Sequence, residues 1–381
     1  MKALHIITGL GVGGAEQQLR LLLRHLPVHC DVVTLTNPGP VAEGLRADGV
    51  SVTHLAMNGN RDLAALPRLA RLIRRGKYDL VHTHLYRACV YGRIAARMAG
   101  VRTTIATEHS LGERQIEGRP LTRGIRALYL RTEKLGSATV AVSATIADRL
   151  RNWGVPAQRI HLVPNGIDAE SLRFDQGSRL ATRAQLSIPA GAFVVGGVGR
   201  LVPGKRFELL VRAVAAIPDA RLVLAGDGPE RTALRTLARR LGAADRIRFL
   251  GECDALWDGP DRGVPAIPAV LSALDVFVSA SEEESFGLAA IEALAAGLPV
   301  LHVSCPAIED LPGALAPGAV RVAGRADALE AALRIQMSTE ARRLQPPPVV
   351  SHYDIARSAR SLLDVYARAV ASTPSTDPTK K

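Results

Sequence analysis

Short apolar runs alternate with longer amphipathic stretches along almost the whole chain. Residues 2–8, 30–36, 52–55, 80–83, 102–106, 139–143 and 160–163 are too short and too evenly apolar for a helical stripe. They read as buried strands. Between them, 17–25, 63–75, 88–99 and 122–138 carry apolar positions at helical spacing, and Ser143 stands where a helix cap belongs. The rhythm resumes at 193–198, 221–225, 247–250 and 274–281, each run followed by a helical pattern. Alternation of this kind specifies parallel, doubly wound sheets, and the fold class is α/β. A polar stretch at 171–187 reads as a linker between the two series. With 381 residues, each half is large enough for its own core.

The most informative stretch runs from Leu274 to Val300. A buried strand leads through the acidic loop Glu282-Glu283-Glu284 into Ser285-Phe286-Gly287, which opens an Ala/Leu-rich helix closed by Gly297 and Pro299. Such a junction points free N–H groups and positive dipole out of the carboxyl edge of the sheet, where open α/β sheets bind anionic ligands. Glu284 and Glu292 flank the point. A second junction, Gly199-Arg200-Leu201 through Lys205, offers two cations suited to a diphosphate. Near the start, Gly9 to Glu16 is a glycine-rich turn into a helix. On its own it keeps open a dinucleotide site and an NAD(P)-dependent oxidoreductase. The next strand, however, ends in Thr36-Asn37, with no acid to hold a ribose. His82, His84 and His109 lie near strand ends and could converge on a metal, but no carboxylate cluster or Cys ligand supports that.

Composition narrows the picture further. Four widely spaced cysteines without a CxxC pair read as reduced thiols. Aromatic residues make up only 4%, too few for single-strand stacking platforms, and no nucleic-acid motif accompanies the charge. The net charge of +12 falls mainly in the first 170 residues, notably Arg68, Arg71, Arg74, Arg75 and Lys77. Such an excess is either a solvated face or one that meets anionic lipid or a phosphate-bearing acceptor. No leader or membrane-spanning run is visible, so a cytoplasmic place is expected, with peripheral contact at the inner membrane face as the sharper alternative.

Glu284-x7-Glu292, set in S-x-x-E-S-F-G-x-x-x-x-E-A-x-A-x-G-x-P-V, resembles the retaining GT-B glycosyltransferases of family 4. Gly13-Gly14-Ala15-Glu16, Val163-Pro-Asn-Gly-Ile-Asp168, Gly199-Arg-Leu-x-x-x-Lys205, Gly226-x-Gly-Pro229 and Phe249-Leu250-Gly251 extend the likeness over most of the chain. The resemblance implies two Rossmann-like domains facing across a cleft, an acceptor-side one at 1–170 and a donor one at 171–350. It also implies a helix at 351–371 crossing back to the first domain and a disordered tail at 372–381. The implied reaction moves a sugar from a nucleotide diphosphate sugar to a sugar, lipid-linked or small-molecule acceptor, with retention, no metal and no cofactor. By resemblance Arg200 and Lys205 hold the donor phosphates, and Glu284 and His109 the sugar. Glu292 holds the ribose, and Gly13, Gly14, Leu250, Ser285, Phe286, Gly287 and Leu288 line the donor. Two carboxylates also suit a glycosidase, but hydrolysis has no use for a phosphate clamp. A sugar-nucleotide 2-epimerase of the same fold stays open. The chain departs from the family at 252–268, longer and richer in Pro and Gly than expected, and after Val300. There the usual G-G-x-x-E is missing and Glu309 stands in its place.

Overall fold

The computed structural model describes residues 1–59, 61–113, 115–117, 119–253, 263–339 and 343–372. The expected tail, apart from Ser372, and most of the 252–268 departure lie outside the described residues. The chain forms two units, one from Met1 to Gly166 together with the segment from Ile355 onward, the other from Ile167 to Asp354.

The first unit contains β1 (Lys2–Ile7), β2 (His29–Thr34), β3 (Ser51–His54), β4 (Leu80–His84), β5 (Thr104–Glu108), a two-stranded ribbon β6 (Gln115–Ile116) and β7 (Arg119–Pro120), β8 (Ala138–Ala141) and β9 (Ile160–Leu162). Seven of these make a parallel sheet in the order β3-β2-β1-β4-β5-β8-β9. The order reverses beside β1, so the loops after β1 and β4 diverge and leave a crevice at the carboxyl edge. Leu19, Leu22 and Leu23 of the helix Gly14–His25 cover one face together with Ile355, Leu362, Val365 and Tyr366 of the final helix. That helix, Ile355–Ala371, begins later than the sequence pattern places it. Pro348–His352 forms a separate helical turn, because Tyr353 leaves helical geometry between them.

The second unit contains β10 (Phe193–Val198), β11 (Ala220–Ala225), β12 (Ile247–Gly251), β13 (Val276–Ser279), β14 (Val300–His302) and β15 (Ala319–Arg321), all parallel in the order β12-β11-β10-β13-β14-β15. Its core is aliphatic, built on Val195, Leu210, Leu222, Leu224, Val276, Val278 and Leu301. The stretch 171–187 is not simply a polar linker. Residues Gln176–Gln185 form a helix capped by Asp175, whose carboxylate accepts from the Ser178 N–H at 2.6 Å. The charges that made it look like a linker turn inward. Arg179 and Arg183 both donate to the Asp275 carboxylate, at 2.6 and 2.7 Å, and Asp275 also accepts from the Val194 N–H. Arg343 joins them on the carbonyls of Ser272 and Leu274, which end the helix Ile267–Ala273. A buried carboxylate needs such partners, and the arginines cap carbonyls that would otherwise be orphaned.

Candidate functional site

In the second unit the switch point lies between β10 and β13, the place where strand order reverses. The loop after β10 is pinned by its neighbours. Gly199 donates to Ala225 O at 2.9 Å, Leu201 to Asp227 O at 2.8 Å, and Glu230 to Leu201 O at 3.0 Å. This packing requires glycine at 226, since a Cβ there would sit 2.0 Å from Gly199 O at a φ of +131°. So held, the loop runs Arg200 to Lys205 and turns at Arg206, itself left-handed. Arg200 is exposed, whereas Lys205 is half-buried and its ammonium pairs with the Glu284 carboxylate. Arg206 reaches Glu282 at 3.7 Å. The two loops at the switch point are therefore joined by charge, and three of the residues singled out from sequence, Lys205, Glu284 and Gly287, belong to one edge.

Gly287 caps the helix Leu288–Ala295 with a φ of +101°. A Cβ there would lie 2.4 Å from Cys305 Sγ, so the cap is closed on one side by a thiol that also lies 3.6 Å from Phe286 O. The Phe286 ring is buried edge-on to Tyr353, at 4.9 Å between centroids, so what it can offer a ligand is its backbone N–H. The first N–H groups of this helix have no intrahelical acceptor and carry the positive end of its dipole. Ser285 and Leu288 lie on either side of the cap, both half-buried, and Leu250 lies three strands away from β13, near the end of β12, where Gly226 donates to Gly251 O at 2.7 Å. Neither Cys305 behind the cap nor Arg206 was visible as a partner from sequence, because both lie outside the residues that carry the resemblance.

Glu292 sits one turn into that helix, half-buried, and burial pushes its carboxyl up to about 7. A folded-state value above the ordinary one means that Glu292 favours the fold below pH 4.5 and loses that favour as pH rises through about 7. At pH 8 the ionised group costs the fold about 1–3 kcal/mol. Glu292→Gln should therefore raise the urea midpoint at pH 8 and leave it unchanged at pH 4. An equal shift at both would remove burial as the cause.

In the first unit the glycine turn leads into the helix at Gly14. Gly13 is extended and half-buried, Gly14 is exposed, and the Glu16 side chain folds back over Gly13. Where a dinucleotide fold would hold a ribose, Asn37 is occupied otherwise: its carbonyl accepts from Leu10 and its side chain from Gly39. His109 follows β5 directly and lines a small pocket with Gln18, Leu19, His84, Thr107 and Asn165. Its Nε2 meets His84 Nδ1 at 3.1 Å, and its Nδ1 has no partner among the described residues. His84 Nε2 meets His5 Nδ1 at 3.0 Å, and His5 Nε2 lies 3.4 Å from the Tyr366 hydroxyl. That hydroxyl meets His82 Nδ1 at 2.7 Å, and His82 Nε2 meets Thr107 Oγ1 at 2.7 Å. The sequence reading missed His5, although β1 and β4 pair with His5 opposite His82. His5, His82 and His84 are close enough to share a metal ion, but every nitrogen of the three already has a protein partner.

Comparison with known proteins matches both halves. Residues 12–171 fit the model of Glycosyltransferase Family 4, and residues 178–346 that of Glycosyl transferases group 1. A D-inositol 3-phosphate glycosyltransferase of Saccharomonospora viridis is 31% identical over 327 residues, covering 78% of this chain and 72% of its own. A 2-deoxystreptamine glucosyltransferase of Streptomyces kanamyceticus is 28% identical, covering 69% of each. The crystal structure of Anabaena HepE with UDP and glucose superposes with a TM-score of 0.83 at 20% identity, over 96% of this chain and 99% of that one.

Proposed function

This chain belongs to the group 1, family 4 glycosyltransferases, and from that premise we propose that it moves a sugar from a nucleotide diphosphate sugar to a polyhydroxylated acceptor with retention. The observation that carries the proposal is the pairing of Lys205 with Glu284 beside the Gly287 cap. It sets an ammonium, a carboxylate and a helix N-terminus at one switch point. In the proposed step the anomeric C–O bond to the diphosphate breaks and its electron pair leaves with the phosphate. The acceptor oxygen bonds to the same face of the carbon, and the acceptor proton goes to the departing phosphate oxygen. The chain's own residues bind and neutralise. Lys205 and Arg200 supply cations where negative charge builds, and the helix tip supplies N–H groups. With that charge met by side chains, the reading calls for no divalent ion. Glu284 takes sugar hydroxyls, Glu292 the ribose, and His109 the transferred sugar.

A uridine donor is the first candidate, because HepE holds UDP and glucose. Cyclitol acceptors come first because the named relatives glycosylate inositol phosphate and 2-deoxystreptamine. The test is a donor screen with EDTA present, each donor offered alone and with an inositol phosphate, 2-deoxystreptamine or a lipid-linked sugar, and products identified by mass spectrometry. Transfer to any acceptor supports the reading. Epimerised donor with acceptor untouched, or stabilisation by NAD and by no nucleotide sugar, would overturn it. The nicotinamide alternative has no support in the family assignment.

We also propose a cytoplasmic place, with contact to an anionic membrane face. The helix Ala65–Gly76 buries Leu69, Ala70 and Ile73 and exposes Arg68, Arg71, Arg74 and Arg75. Leu63 and Met98 stand beside it, 71% and 47% exposed. Among the described residues no helix is long and apolar enough to cross a membrane. Vesicles containing phosphatidylglycerol should retain the protein at low salt and release it at high salt, as screening predicts. Equal retention on neutral vesicles would remove the electrostatic contact.

A further inference from the structure

Six groups of the first unit form one unbroken hydrogen-bonded chain, from Thr107 through His82, Tyr366, His5 and His84 to His109. The four rings are neutral near pH 7. Burial lowers His5 to about 3 and His109 to about 4, and holds His82 and His84 well below the ordinary range. Each neutral ring carries one hydrogen, as does each hydroxyl. Six hydrogens thus serve five links, and one is left over. An inner ring has both nitrogens in links and so commits its one hydrogen, which leaves Thr107, Tyr366 or His109 to carry the spare one. Three ordered arrangements exist. In the first, every ring is Nε2–H and the spare hydrogen is on Thr107. In the second, the Tyr366 oxygen accepts from both His82 Nδ1–H and His5 Nε2–H, and His109 is again Nε2–H. In the third, every ring is Nδ1–H and the spare hydrogen is on His109.

Two effects choose between them. Free histidine favours Nε2–H, and four rings add that preference. A buried N–H without an acceptor is also harder to tolerate than an under-used lone pair, while a threonine hydroxyl can rotate in search of one. We propose that this relay holds His109 as the Nε2–H tautomer and leaves its Nδ1 lone pair as a hydrogen-bond acceptor for a substrate hydroxyl. His5, His82, His84, Thr107 and Tyr366 then act as positioning residues. Only the identity of that hydroxyl, on the transferred sugar, rests on the glycosyltransferase reading above.

The test uses the whole chain with 15N-labelled histidine, and long-range proton–nitrogen spectra that report which nitrogen of each ring is protonated. All four rings should be Nε2–H. Thr107→Val removes the acceptor of the His82 N–H while keeping the shape, so His82 should turn to Nδ1–H and donate to the Tyr366 oxygen while His109 stays Nε2–H. His84→Leu takes away the acceptor of the His109 N–H, and His109 should then divide between both tautomers. The kcat for transfer should fall in His84→Leu in step with the fraction of Nδ1–H His109 that the spectra report. An Nδ1–H His109 in the unaltered protein would overturn the relay. So would a His84→Leu protein with His109 still wholly Nε2–H, or an equivalent of zinc bound as purified by His5, His82 and His84. Because the spectra need no nucleotide sugar, a protein without transferase activity would defeat the functional reading and leave the tautomers to be judged separately.

Discussion

Lys205→Ala lowers kcat/KM for sugar transfer by about 100–1,000-fold, the cost of removing one preorganised group from developing charge. Glu284→Ala costs about as much, for a different reason. Glu284 holds the ammonium in place before the donor arrives, and it is the acceptor that the reading gives to the sugar hydroxyls. Neither variant should unfold the protein, because the pair is partly open to water and holds the fold by no more than about 1 kcal/mol. Steady-state kinetics beside urea unfolding separates the two effects. Unfolding midpoints near the native value with transfer collapsed is the expected result. Transfer near the native rate in both variants would mean that the switch point of the second unit is not where the diphosphate leaves.

Gly287→Ala carries the second large effect, and this one falls on the fold and the site together. The residue sits at a φ of +101°, and a new Cβ would meet Cys305 Sγ at 2.4 Å. Strain and clash together should cost about 2–4 kcal/mol. They should also tilt the first N–H groups of the helix away from the proposed phosphate position, so donor affinity falls along with stability. Combining Gly287→Ala with Cys305→Ala takes away the clash and leaves the backbone strain, so only part of the loss should return. Full recovery in the double variant would show that the left-handed cap matters little. No loss in the single variant would show that the cap is not held as described.

The residues explain why some of this was legible and some was not. Strands such as 193–198 and 274–281 announce themselves because a buried parallel strand must be apolar on both faces. Gly199, Arg200, Lys205, Gly287 and Glu292 stand at fixed short spacings within single strand–loop–helix junctions, so adjacency in sequence is adjacency in space. The helix Gln176–Gln185 was hidden because its arginines satisfy Asp275, nearly a hundred residues away. Charge in a sequence is read as exposure unless its partner is known. His5 was hidden for a similar reason, since only strand pairing sets it opposite His82. Cys305 read as one of four reduced thiols, and the structure sets its sulfur against the capping Gly287. Long-range register and buried pairing decide these features, and neither is written locally.

In the proposed function, side-chain cations and a helix tip of the second unit grip the pyrophosphate. Titration calorimetry of a uridine diphosphate sugar in EDTA, against the native chain and an Arg200→Ala/Lys205→Ala variant, tests it most directly. Binding by the native chain, weakened about 100-fold or more in the variant, is the predicted result, in line with the loss of two charge-assisted contacts. Equal affinity in both proteins, or native binding only after a divalent ion is supplied, would contradict it.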